Sequence, residues 1–209
     1  EVTLPSREGN VVRYQELRDM LIAYAAAQTK ARHEEWTDEQ VHATATAIAF
    51  GGMKFALLKQ SPSSIITFDR EQALSFDGMT GPYCQYAAVR LESILKKAGG
   101  LPQDEALATN LVWEPSERDL LLAIASLPRA LERSLGWKDG APTLEETDPA
   151  TLAQWCFSTA QAVNAFYRDV PVLDAEPALR ARRLHLASIA KLTLTKGLGM
   201  LTIDVPSMM

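Results

Sequence analysis

Apolar positions recur at helical spacing along most of this chain. In residues 12–31, Leu17, Leu21, Tyr24 and Ala25 fall three to four apart and predict an amphipathic helix. Thr37 with Gln40 three positions on predicts a capping box that opens a second helix. That helix is small and apolar through Ala43, Ala45, Ala47, Ile48 and Phe50, crosses Gly51-Gly52 and continues to Phe55, Leu57 and Leu58. Side chains this small predict close approach by another element. Ser61-Pro62-Ser63-Ser64 breaks the chain, and residues 65–68 (IITF) are the one strand candidate. Helices are predicted over 83–98, closed by Gly99-Gly100, and from Ser116 onward, with an interruption or restart at Pro128. A polar connection over 136–149 leads to a helix over 150–169, whose apolar side carries Leu152, Trp155, Cys156, Thr159, Val163 and Phe166. Core packing is the expected role of Trp155 and Phe166. The final helix is predicted over 177–197, ending at Gly197. The fold expected is predominantly all-α, with residues 1–81 as one packing unit and 82–209 as a helical bundle, divided near Pro82.

Composition narrows the function classes. No apolar run approaches the roughly 20 residues that cross a bilayer, and the first residues lack the charged-then-apolar order of a signal peptide. Two cysteines, Cys84 and Cys156, make no disulfide framework, so a reducing cytoplasm fits. Three scattered histidines give no zinc-ligand spacing, and no metal site is expected. A nucleophile elbow and a phosphate-cradling Gly-Lys loop are both missing. The net charge of −5 works against nucleic-acid binding. It hides a concentration of Arg180, Arg182, Arg183, Lys191 and Lys196 in one C-terminal segment. Two readings of that segment stand open: a local basic face for RNA, or a solvated helix face with cations favoured near its end.

The densest chemistry lies in Phe76-Asp77-Gly78-Met79-Thr80-Gly81-Pro82-Tyr83-Cys84-Gln85-Tyr86. Glycines and a proline form a rigid turn that opens a helix, since proline fits the first helical turn without losing a hydrogen bond. Tyr83 and Tyr86 then stand three apart on one face, beside the carboxamide of Gln85. Two phenol rings and an amide can hold an unstacked base and read its edge. First-turn aromatics packed on a core are the alternative.

Residues 68–98 bring in more than local physics. Phe68-Asp69, Leu74-Ser75-Phe76-Asp77-Gly78, Thr80-Gly81-Pro82-Tyr83, Gln85-Tyr86-Ala87, Arg90 and Ser93-Ile94-Leu95 form a long ordered string. It resembles the junction of arginyl-tRNA synthetases, where the catalytic core meets the anticodon-binding domain. Asn164-Ala165-Phe166-Tyr167, Pro171-Val172-Leu173, Arg183-Leu184, Lys196-Gly197-Leu198 and Leu201-Thr202-Ile203 are similar to that family's closing segments. Where the family ends Pro-Glu-Arg-Met, this chain has Pro206-Ser207-Met208-Met209 and lacks the arginine. The resemblance implies that Tyr83, Gln85, Tyr86, Arg90, Tyr167 and Met209 line the anticodon loop.

At the other end, Ser6-Arg7-Glu8-Gly9-Asn10-Val11 is similar to the continuation of the class I ATP loop, Lys-Met-Ser followed by Lys, Ser or Arg. Thr3 and Pro5 depart from it at the lysine and first serine, which removes a cation near the pyrophosphate leaving group. Ser6 and Arg7 are the ATP-loop candidates, and Arg7 stands in for the lost charge. The other class I nucleotide motif, His-any-Gly-His, is missing, as is a preceding Rossmann unit. The resemblance implies the C-terminal portion of an arginine–tRNA ligase: residues 1–81 as the end of the catalytic core, 82–209 as the anticodon-binding domain. ATP with magnesium serves the full-length enzyme, this chain alone is inactive, and the partners are arginine tRNA with arginine and ATP. A monomer is expected. Glu1 in place of Met argues against a native initiator. Two other readings remain at this point, a free-standing tRNA-binding paralogue without catalysis and a plain helical scaffold.

Overall fold

The computed structural model describes residues 13–102 and 112–209. Their order is α1 (Tyr14–Arg32), α2 (Asp38–Leu58), α3 (Arg70–Ala73), α4 (Gly81–Ala98), α5 (Pro115–Ala125), α6 (Leu127–Ser134), α7 (Pro149–Asp169) and α8 (Pro177–Met200). No strand occurs among the described residues, only an isolated bridge between Lys138 and Ala141. The fold is all-α.

Local chemistry sets the helix ends. Thr37 and Gln40 form the reciprocal capping box at the start of α2, with the Thr37 N–H donating to Gln40 Oε1 at 2.9 Å. Gly99, at φ 79°, closes α4 in the left-handed conformation that a side chain resists. Pro128 stands at the start of α6 and restarts the helix after α5.

Two expectations need correction. Residues 65–68 form no strand: nothing pairs with them, and Ile65 is 96% exposed. The last helix does not stop at Gly197 but runs to Met200. Gly197 serves packing instead, since a Cβ there would lie 2.5 Å from Cζ3 of Trp155. Trp155 is itself core, and its indole N–H donates to Ala123 O at 3.0 Å.

The bundle core joins α4, α5, α7 and α8 through Leu91, Leu120, Ala153, Val163, Phe166, Leu184 and Leu194. Tyr83 meets Phe157 and Arg90 meets Asn164, so α4 and α7 run in the same sense. Lys191 meets Glu92 and Arg180 meets Ala98, so α8 runs against α4. A second apolar cluster unites α1 and α2 through Leu21, Ala25, Ala45, Ile48, Ala49 and Met53. α2 belongs to both clusters, because its Phe55 lies in the bundle core. By length and composition α2 could cross a bilayer, with a mean hydropathy of 1.3, but half of that window is buried as a core helix.

The predicted close approach falls at Gly51-Gly52. A Cβ on Gly81 would lie 2.3 Å from the Gly51 carbonyl oxygen, and one on Gly52 would lie 2.6 Å from the Ala73 carbonyl oxygen. The start of α4 therefore rests on the backbone of α2. Beyond α8 the tail turns back along α2: Lys54 donates to Thr202 O, and Thr44 donates to Met208 O at 3.4 Å.

Candidate nucleic-acid interface

The turn before α4 aims the candidate face. Thr80 caps the helix, accepting from the Tyr83 N–H at 3.2 Å while its hydroxyl donates to Ser75 O at 2.6 Å. Gly78 supports the turn at φ 78°. With the start of α4 pinned to α2, Tyr83, Tyr86 and Arg90 share one stripe at three- and four-residue spacing. Cys84, Gln85, Ala87, Ala88 and Leu91 turn inward and are buried.

Tyr86, Arg90 and Tyr167 meet. The Arg90 guanidinium lies 4.4 Å from the Tyr86 ring centroid and 4.8 Å from that of Tyr167. It also donates to Asn164 Oδ1 at 2.8 Å. Tyr86 presents an edge-to-face contact to Phe76 at 6.0 Å, and Arg32 lies 4.8 Å over the Phe76 ring. The result is a ladder of aromatic and cationic groups, Arg32–Phe76–Tyr86–Arg90–Tyr167, running from the end of α1 across α4 to α7. Tyr167 is 45% exposed, so the outer end of the ladder faces solvent.

A cavity of about 370 Å³ opens beside the ladder, lined by Thr29, Arg32, His33, Thr44, Ile48, Phe76, Tyr86 and Met209. Met209 thus reaches the same face through the tail that follows α2. A smaller one of about 240 Å³ shares Arg32 and Phe76 and adds Tyr24, Glu71 and Asp77. His33 stacks on Trp36 at 4.0 Å nearby. Flat rings, a thioether and guanidinium groups around a concave apolar floor can hold splayed bases and meet their phosphates.

Two predicted residues sit elsewhere. Gln85 is fully buried, and its amide donates to Ala47 O at 2.9 Å and Asp204 O at 2.6 Å. It ties α4 to α2 and to the tail, and presents no edge to a base. Tyr83 is partly buried against Phe157, with ring centroids 5.4 Å apart, so one of its faces is already covered. Ser6 and Arg7 lie outside the described residues. Arg32, Phe76 and Asn164 complete the face without having been assigned to it from sequence. Phe76 stood inside the motif, whereas only the packing of α1 against α2 brings Arg32 to it.

The basic segment of α8 does not form one continuous exposed face. Arg182 and Arg183 are buried, at 6% and 4% exposure, around Glu117. Arg183 Nε donates to Glu117 Oε1 at 2.8 Å and Arg182 Nη2 to Oε2 at 3.0 Å. Lys191 pairs with Glu92, and Arg180 reaches the α4 terminus. Burial pushes the Glu117 carboxyl upward, but the Arg183 hydrogen bond, the Glu114 N–H and both guanidinium charges together hold it below the ordinary carboxylate value. Lys196 is the member of the set left exposed.

Residues 84–209 match the family described as the DALR anticodon binding domain. The chain is 35% identical to the arginine–tRNA ligase of Frankia casuarinae over 98% of its own length and 33% of that protein. It is 35% identical to the arginine–tRNA ligase of Chloroflexus aggregans over 99% of its length and 35% of that protein. Among solved structures, the Thermus thermophilus arginyl-tRNA synthetase superposes with a TM-score of 0.83 at 31% identity, covering 96% of this chain and 33% of that one. The chain spans about a third of the length of the curated relatives it matches.

Proposed function

The chain belongs to the DALR anticodon-binding family, and we propose that it docks the anticodon stem-loop of arginine tRNA as the C-terminal part of an arginine–tRNA ligase. The whole enzyme joins arginine to its tRNA with ATP and magnesium, in the cytoplasm and as a monomer. Residues 82–209 are the anticodon-binding bundle, and residues 1–81 close the catalytic core, where Ser6 and Arg7 serve the ATP loop. This 209-residue chain alone does not activate arginine. The observation that carries the reading is the Tyr86–Arg90–Tyr167 stack beside the cavity that ends at Met209. Tyr83 flanks that face from the bundle, and Gln85 holds the tail that delivers Met209.

A non-catalytic, free-standing tRNA-binding paralogue is the second reading, and Thr3 and Pro5 favour it because they remove the loop lysine. Both readings share the RNA face and differ in catalysis.

Titration with arginine tRNA and a non-cognate tRNA tests the shared part. Removing one stacking ring in Tyr86→Ala or Tyr167→Ala is expected to cost about 1–3 kcal/mol of affinity. Arg90→Ala is expected to flatten the salt dependence as well, because one counterion-releasing group is lost. Unchanged affinity in all three folded variants would refute the assignment.

A further inference from the structure

Asn164 has no assigned role, yet among the described residues it is the side chain that hydrogen-bonds Arg90, with its Oδ1 2.8 Å from Nη1. Arg90 in turn stands between two rings, 4.4 Å from Tyr86 and 4.8 Å from Tyr167. The four side chains form two pairs at helical spacing. Tyr86 and Arg90 are four apart on α4, and Asn164 and Tyr167 are three apart on α7. A guanidinium on a flexible stem has many rotamers, and holding one of them costs conformational entropy. A fixed amide acceptor from the neighbouring helix removes that freedom and sets the plane in which the guanidinium stacks.

We propose that Asn164 is a positioning residue for RNA recognition: it holds Arg90 between Tyr86 and Tyr167, and thereby fixes the stacked guanidinium that is offered to the RNA together with the two rings. The proposal rests on the anticodon-docking reading. Asn164 touches no base itself and acts through Arg90. Its loss leaves the rings in place on their helices but lets the guanidinium leave the slot between them.

The test is a double-mutant cycle on the full chain with arginine tRNA, using Asn164→Ala, Arg90→Ala and the pair. Arg90→Ala is expected to weaken binding by about 2- to 30-fold, the range of a stacked cation. Asn164→Ala should weaken it by a similar factor in the wild-type chain and by none in the Arg90→Ala chain. Asn164→Asp keeps an acceptor oxygen and should restore at least part of the affinity. A spectroscopic readout stands apart from binding: the Arg90 side-chain protons, shielded between two rings, should shift toward free-arginine values in Asn164→Ala. Equal losses from Asn164→Ala in both backgrounds, or unshifted Arg90 protons, would overturn the positioning role. If Tyr86→Ala and Tyr167→Ala lower affinity while Asn164→Ala does not, the positioning role falls and the docking reading stands. If neither tyrosine matters, the docking reading itself has failed.

Discussion

Gly81, Gly51 and Gln85 make one contact that decides where the proposed RNA face sits. A Cβ at position 81 would meet backbone at 2.3 Å, which no side-chain movement can relieve, so α4 would have to lift from α2. Gly81→Ala should therefore destabilise the fold by about 1–3 kcal/mol or more. A thermal melt checks this, and an unchanged midpoint would show that α4 is not seated as described. Gln85→Leu removes the amide that donates to Ala47 O and Asp204 O and so joins α4 to α2 and the tail, and should cost about 1–3 kcal/mol. Its tRNA affinity per folded molecule should fall less than that of Tyr86→Ala, because Gln85 acts on the proposed face only through the tail that carries Met209. The turn, the aromatics and the small residues of α2 were all legible in the sequence. The inward direction of Gln85 was not, because its place in a motif carries no information about burial. The relevant partners, Ala47 O and Asp204 O, are 38 and 119 residues away.

Helix by helix, apolar periodicity gave the right elements wherever a helix has one buried face, as in α7 with Leu152, Trp155, Cys156, Thr159, Val163 and Phe166. The charge pattern misled in α8, which buries Arg182 and Arg183 among its apolar residues. A run of cations reads as a solvent or RNA face until Glu117, more than sixty positions away, is brought against it. That triad makes α5 and α8 interdependent. Glu117→Ala would leave two guanidinium groups buried without their shared carboxylate, and about 3–5 kcal/mol of destabilisation is expected in urea unfolding. The pH dependence follows from the lowered carboxyl. A group whose folded value lies below its ordinary 4.5 contributes its full stability above that pH. The contribution is lost as the pH falls through the folded value. Wild type should accordingly lose stability below about pH 4.5 more steeply than Glu117→Gln, which titrates nothing at this position. Parallel acid-unfolding curves for the two would contradict the account.

Across the whole molecule, the proposed division near Pro82 does not leave two free bodies, since α2 contributes to both apolar clusters and the tail lies along it. The bundle owns most of the buried leucine and aromatic side chains. Limited proteolysis should therefore trim residues 1–81 before it cuts 82–209, and early cleavage within α4, α7 or α8 would count against the proposed division. Deleting residues 201–209 should raise hydrogen exchange in α2, because Lys54, Thr44 and Gln85 each lose a partner there. Arginine-dependent ATP–pyrophosphate exchange by this chain alone should stay at background. The family string over residues 68–98 made function the most legible property of the sequence, more so than the exact RNA-facing set, because a motif survives without its tertiary context and a surface does not. The most direct measurement is a titration of the chain with an isolated arginine-tRNA anticodon stem-loop, the same stem-loop with its anticodon replaced, and an acceptor-stem minihelix. Saturable binding to the first, weakened in the second and absent from the third, is the predicted result. Equal binding to all three RNAs, or preference for the acceptor minihelix, would contradict it.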